Sequence, residues 1–367
     1  MDKFADSANK AAQNLGRQTK DYTNAALSFY QQGLSDDEVA ARTETTLKAA
    51  NITGAGVSDM ANQLTAVWNG FQVNMENTEN VVSKLAAVAD SSASNMSELA
   101  TAMSKTASVA NNMGVDVDQL TAQVSTIIAT TRQAPETVGN ALKTIYARIN
   151  DIKTGSDEAE ISLGNYTGKM AALGVQVLDQ EGRLRNTGEV MEEIGERWNT
   201  MTREQQIYLA QTMAGQRQMN NLMALFQNWD MYTKELNVSL EAQGTLDEKN
   251  ARYMESLTAH VNNFTAASEG LIQAFANGDS FKGFIDAGTT ALNLLTDLVD
   301  SIGGGGNAIL ALGSIATTVF SGVISKEINA LITNFQNAKF NAEQLQQVIA
   351  NTKAMASIEG ISDNSAI

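Results

Sequence analysis

The chain has 367 residues, a formal net charge of −16 and no cysteine. Disulfide frameworks and thiolate metal sites are thereby excluded, and a sequence-independent grip on nucleic acid, which draws on clustered Lys and Arg, is disfavoured. A single proline in a chain that is 43% hydrophobic and 6% aromatic predicts long helices around a buried core, not sheet or disorder. The expected fold is all-α: several amphipathic helices packed in a compact or elongated bundle, interrupted by one small β-hairpin near 174–185.

The opening "MDKFADSANK" carries charges where a signal peptide needs an apolar core, so no export signal is expected. Residues 1–50 read as an N-terminal helical segment. Within it, Ser35-Asp36-Asp37-Glu38 forms a capping-box pattern ahead of "VAARTETTLKAA". "NITGAG" (51–56) reads as a joint to a helical domain over 51–276. That domain begins with Val57, Met60, Leu64, Val67 and Phe71 at helical spacing. Looser capping boxes follow at Asn95-x-x-Glu98 and Asp116-x-x-Gln119, and Gly114 stands where a preceding helix needs its C-terminal cap. Leu120, Val124, Ile127 and Ile128 make a second stripe. Pro135 suits the first turn of a helix, where its missing N–H is not needed, and Val138, Leu142, Ile145 and Ile149 continue that helix. Lys143, Arg148 and Lys153 lie near one another without an aromatic platform. They are read as a helix face with i,i+4 salt links, not as a nucleic-acid patch.

The texture changes at "LGVQVLDQEGRLRN" (173–186). Val175 and Val177 alternate with Gly174 and Gln176, and Gly182 can take the positive φ of a tight turn, so a short hairpin is predicted. Helix then resumes. Glu192 and Glu193 are read as a solvated acidic face, Thr202-x-x-Gln205 as a further capping box, and Leu222, Phe226 and Trp229 as another stripe. The lone His260 lies beside Met254, Leu257, Val261 and Phe264 and is read as a core or boundary residue, since one histidine cannot build a zinc site. Each stripe is read as packed core, with a partner-binding face as the alternative.

A C-terminal helical region is expected over 277–367. It carries the stripe Leu292, Leu295, Val299 and Ile302, a glycine-rich hinge at 303–306 and an apolar helix over 308–324. Residues 301–325 include no charged side chain, and Ile309, Leu312, Ile315, Val319, Phe320, Val323 and Ile324 form a candidate membrane or oligomer face. Asn307, Ser314, Thr317, Thr318 and Ser321 make the run only moderately apolar, which favours a buried or oligomer-facing helix.

Catalytic constellations are missing. The sequence has no H-E-x-x-H, no Cys–His pair, no G-x-S-x-G and no G-x-x-x-x-G-K-[ST]. No catalytic, cofactor-binding or metal-ligating residue is assigned, and the chain is not expected to be an enzyme.

Four stretches in order carry a resemblance. They are "DYTNAALSFYQQGLSDDEVAARTETTLKAANITG" (21–54), "VSDMANQLTAVWNGF" (57–71), the run from "NMSELATAMSKTASVANNMG" to "ETVGNALKTIYARI" (95–149), and the hairpin with "EVMEEIGERWNTMTREQQIYLAQTMAGQRQMNNLMALF" (173–226). Together they resemble the core region of phage tail tape-measure proteins. In that family a helix with a glycine turn precedes a second helix and then a proline-started one, which Gly114 and Pro135 match. Gly215 and Arg217 match the family's closing G-x-R. The resemblance implies a structural role inside the tail tube: templating tube assembly and length, release ahead of DNA, and aid in passage through the host membrane. It implies as partners the tail-tube protein, tail-tip or baseplate proteins, tail assembly chaperones and further copies of the chain, with no specific nucleic acid and no cofactor. The implied location is the virion, inside the tail, after assembly in the host cytoplasm. Family members are usually much longer, so the chain reads as a piece of a longer polypeptide. Two other readings remain from the residues alone, a helical pore-forming toxin and a generic helical scaffold.

Overall fold

In a computed structural model of the chain, the described residues are 2–151 and 167–276, with positions 290, 291, 293, 294 and 297 beyond them. Among these residues the fold is all-α, and the only β-type pairing is one isolated antiparallel bridge. By internal contacts the chain divides into two units. One comprises Met1–Leu27 with the residues from Ala251 on, and the other is Ser28–Asn250.

In the first unit α1 (Asp2–Asn14) packs on α13 (Leu257–Ala276). Both helices put small residues inward, Ala8 and Ala12 on one and Ala259, Ala266 and Ala267 on the other. The approach is close enough that a β-carbon on Gly270 would lie 2.7 Å from Asn9 Oδ1. Asn9 is buried and satisfied, its Nδ2 donating to the Ala266 carbonyl at 2.7 Å and to Thr19 Oγ1 at 2.8 Å. His260 is half-buried on α13.

The second unit takes up the chain near the end of α2 (Thr19–Tyr30). It continues through α3 (Asp36–Thr53), α4 (Val57–Gly70), α5 (Thr78–Ser91), α6 (Met96–Asn112), α7 (Val117–Thr131) and α8 (Pro135–Asp151). After residues 167–172 come α9 (Thr187–Arg197), α10 (Arg203–Gln227), α11 (Trp229–Leu240) and the part of α12 (Thr245–Met254) up to Asn250. Four helix starts carry complete capping boxes: Ser35 with Glu38, Asn95 with Glu98, Asp116 with Gln119, and Thr202 with Gln205. In each, the side chain of the first residue accepts an otherwise unpaired backbone N–H, and the residue three on returns the bond. Pro135 is the first residue of α8. In the 51–56 stretch residues 51–53 complete α3 and 54–56 make the turn into α4 inside this unit, with Gly54 at φ +68° closing α3 and Gly56 opening α4.

Alternate helices form two layers. The strongest packing is of α4 on α6 and of α6 on α8, while α3, α5, α7 and α11 form the facing layer. The central α6 is built for close approach, with Ala100, Ala102, Ala107 and Ala110 buried. Gly70 on α4 and Gly139 on α8 meet it nearly backbone to backbone. Larger side chains fill the space between layers. Met60, Leu64, Trp68, Leu85, Leu99, Met103, Leu120, Val124, Ile127, Val138, Leu142 and Ile145 are all fully buried, and each such aliphatic side chain stabilises by about 1.5–3 kcal/mol. Arg42 lies over the Trp68 ring at 5.3 Å and donates to Asn69 Oδ1 at 3.3 Å.

Candidate functional site

The feature that sets this helical unit apart is the non-helical segment 173–186 and the surface it grips. Gly174 at φ +76° closes helical residues 167–172, with Val175 N–H returning to the Met170 carbonyl at 2.9 Å. Val175 and Val177 then point inward, buried, while Gln176 is exposed. The predicted hairpin shrinks to one bridge, Leu178 to Leu184. Its flanking bonds run from Asp179 N–H to the Arg183 carbonyl (2.8 Å) and from Arg185 N–H to the Val177 carbonyl (3.0 Å). The ladder stops there because the N–H groups that its next ring would use go elsewhere, Val175 N–H to the Met170 carbonyl and Thr187 N–H to the Met113 carbonyl. Arg185 donates to the Gln176 carbonyl at 2.7 Å and Arg197 to the Gly174 carbonyl. At the tip Gly182 stands at φ +77°. Asp179 organises the turn, accepting from the Glu181 and Arg183 N–H groups and from the Arg183 guanidinium at 2.9 Å. The Arg183 N–H is the main cause holding the Asp179 carboxyl below its usual range.

The segment is clamped at both ends onto α9. Glu193 accepts from Arg185 at 2.7 Å and pairs with Arg197 at 3.5 Å. The start of α9 in turn docks on the turn between α6 and α7, where Thr187 N–H donates to the Met113 carbonyl at 3.0 Å. Gly114, at φ +72°, makes room there, since a β-carbon on it would lie 2.8 Å from the Asn186 carboxamide carbon. Gly188 does the same for Gln119, which donates to Glu192 at 2.9 Å. Glu192 also accepts from the buried Tyr232 hydroxyl at 3.2 Å. Burial, with the Glu192 carboxylate adding to it, pushes the Tyr232 phenol far up. Asp116, the cap of α7, is also pushed up, by burial first and then by Asp118 and Glu192. The inner face of α9 ends at Gly195 and Trp198. Gly195 lies against the Trp229 ring, and Trp198, Phe226, Trp229 and Tyr232 follow one another with centroids 5.0, 5.9 and 4.2 Å apart. The arrangement is a rigid clip with no reactive constellation. It fastens α9 to α7, α10 and α11.

A model of the family described as phage-related minor tail protein matches residues 7–215, more than half of the chain. The chain belongs to that family. No solved structure matches it. This minor tail protein is thus a component of a phage tail, and the match covers segment 173–186 and α9 and ends at Gly215, before Phe226, Trp229 and Tyr232.

Gly114 meets Asn186 where the clip of this minor tail protein docks, and Gly182 forms its open tip, whereas Pro135, Gly215 and Arg217 lie apart from it. Pro135 borders a cavity of about 580 Å³ among the ends of α3, α5, α6 and α8. Gly215 breaks α10 with φ +67° and ψ 173°, and Arg217 is exposed just beyond it. Glu192 and Glu193 are not the solvated face expected of them. Both are partly buried and engaged, because the clip brings Gln119, Tyr232, Arg185 and Arg197 to them. Lys143 and Arg148 form no i,i+4 ion pair among the described residues. Arg148 reaches across to the Thr212 carbonyl of α10 at 3.4 Å instead, and Lys153 lies outside the described residues.

The face Ile309, Leu312, Ile315, Val319, Phe320, Val323 and Ile324, with the glycine run at 303–306, also lies outside the described residues. Among those described, no helix is long and apolar enough to cross a membrane. Sequence reasoning missed the anchors of the clip, Gln119, Arg185, Asn186 and Arg197. The one local signal was the i,i+4 spacing of Arg185 to Glu189 and Glu193 to Arg197.

Proposed function

We propose that the chain is the folded core of a tape-measure protein, which templates tail-tube assembly and length and leaves the tube as DNA is ejected. The observation that carries this reading is the family match over residues 7–215. That span holds nearly all of the four stretches that resemble tape-measure cores. A helix lengthens by about 1.5 Å per residue, so a ruler needs a long extended rod. The separately capped, layered helices here make a folded block instead, and the measuring portion is assigned to another part of the polypeptide. The net charge of −16 suits a protein that must not hold DNA passing the same way. Its proposed partners are the tail-tube protein, tail-tip or baseplate proteins, assembly chaperones and other copies of itself. The uncharged run 301–325 is assigned to passage of the host membrane at ejection. No catalytic step and no cofactor enter this role.

The test is an in-frame deletion of the coding region in the parent genome, with electron microscopy of the particles produced. Missing tails, or tubes of uncontrolled length, are the expected result. Tails of normal number and length would overturn the reading.

A further inference from the structure

We propose that Gly215 is a hinge by which α10 passes between the bent form seen here and a straight helix. The inference is independent of the tape-measure reading. Residues on both sides of Gly215 are helical, and Gly215 alone departs, with φ +67° and ψ 173°. That combination is open essentially to glycine only. Proline, the common cause of a helix break, is absent from α10. The amino acids themselves specify a helix that could continue through. At 3.6 residues per turn, Ala210, Ala214, Asn221 and Leu225 follow at spacings of four, seven and four and share one face of a straight helix.

The bend adds burial that a straight helix cannot provide. Leu209 and Met213 before the glycine and Leu222 and Phe226 after it are also fully buried. On a straight helix these two pairs fall on opposite sides of the shared face. Straightening with the first half still seated would therefore carry Leu222 and Phe226 away from the core, and Phe226 out of its contacts with Trp198 and Trp229. Burial of these side chains holds the bent form. Arg148 of α8 latches it from outside. Its Nε donates to the Thr212 carbonyl at 3.4 Å, and its guanidinium stands 3.4 Å from where a β-carbon on Gly215 would be. Any event that lifts α10 from α8 removes the Arg148 latch and leaves burial as the restraint, and the straight form then offers Leu222 and Phe226 as a new apolar surface.

The chain has no cysteine, so spin labels can be placed at two exposed ends of α10 in the full chain, through Glu204→Cys and Gln227→Cys. A straight helix puts these positions about 35 Å apart, at 1.5 Å per residue. Double electron–electron resonance on the otherwise native chain should give a clearly shorter distance. Adding Gly215→Ala should move the distribution to about 35 Å and raise the solvent exposure of tryptophan fluorescence. A native chain already at about 35 Å, or a folded Gly215→Ala variant that keeps the short distance, would overturn the hinge. If Gly215→Ala does not fold, as circular dichroism would report, Arg148→Ala decides. A second population near 35 Å supports the hinge, and a distribution identical to the native one overturns it.

Discussion

Gly139 of α8 sits so close to Ala102 of α6 that a β-carbon on it would lie 2.3 Å from the Ala102 carbonyl oxygen. The obstacle is backbone, not the end of a flexible side chain, so the two helices must separate to admit even a methyl group. Gly139→Ala should therefore destabilise the protein by about 1–3 kcal/mol, although alanine is the better helix former. Urea denaturation followed by circular dichroism checks this. A variant as stable as the native chain would mean that α6 and α8 do not meet there.

Gly182 has open space around it and a φ of +77°. Any cost of replacing it is one of backbone conformation alone. Gly182→Val should lower stability by more than about 1 kcal/mol, while Gly182→Asn should be tolerated far better, since asparagine visits left-handed conformations. Equal melting temperatures for the two variants would show that the tip does not need positive φ.

Lys84 of α5 and Asp118 of α7 form a mostly buried pair at 2.5 Å, with side chains 13% and 16% exposed. Ser239 of α11 completes it, its hydroxyl donating to Asp118 at 2.6 Å and its carbonyl accepting from Lys84 at 3.3 Å. Removing one charge strands the other in a poorly solvated place. Lys84→Met alone should cost about 3 kcal/mol. Lys84→Met with Asp118→Leu should recover a large part of that loss, and a double-mutant cycle in denaturant measures the coupling. Additive effects would show the pair to be solvated.

Asp116 is raised by burial and by its acidic neighbours, so the folded state holds its proton more tightly than the unfolded chain does. Its contribution is fully present below the unfolded pKa of about 3.9 and is lost as pH rises through the folded value. Asparagine can cap α7 equally well without the charge. Asp116→Asn should be the more stable form at pH 7, and its advantage should shrink as pH falls towards 4. An advantage that grows on acidification would contradict the assigned burial.

Val319 lies in the uncharged run assigned to membrane passage. Val319→Lys should leave tails assembled and lower the yield of infected cells, because a lysine near the middle of an inserted segment costs about 2.5–3.5 kcal/mol. Normal plating efficiency would remove the membrane role.

How much of this protein could be read along the chain depends on the range of each interaction. The four capping boxes, the proline start of α8, the stripes of α4, α7 and α8, and the positive φ of Gly182 were legible. Each rests on residues three or four apart, or on one residue's own backbone preference. Tertiary structure decided the rest. Glu192 meets Gln119 across 73 positions, and Glu235, only 1% exposed, accepts from Ser91 across 144. No spacing rule reaches that far, so Glu192, which reads as part of a wet helix face, is a partly buried acceptor, and Glu235 is an interior one. The hairpin stopped at one bridge for the same reason. Its alternation was local and visible, whereas the Met113 carbonyl that takes the Thr187 N–H belongs to the distant turn between α6 and α7. Local sequence determined where helices begin and end, and long-range packing determined which polar groups had to find partners inside.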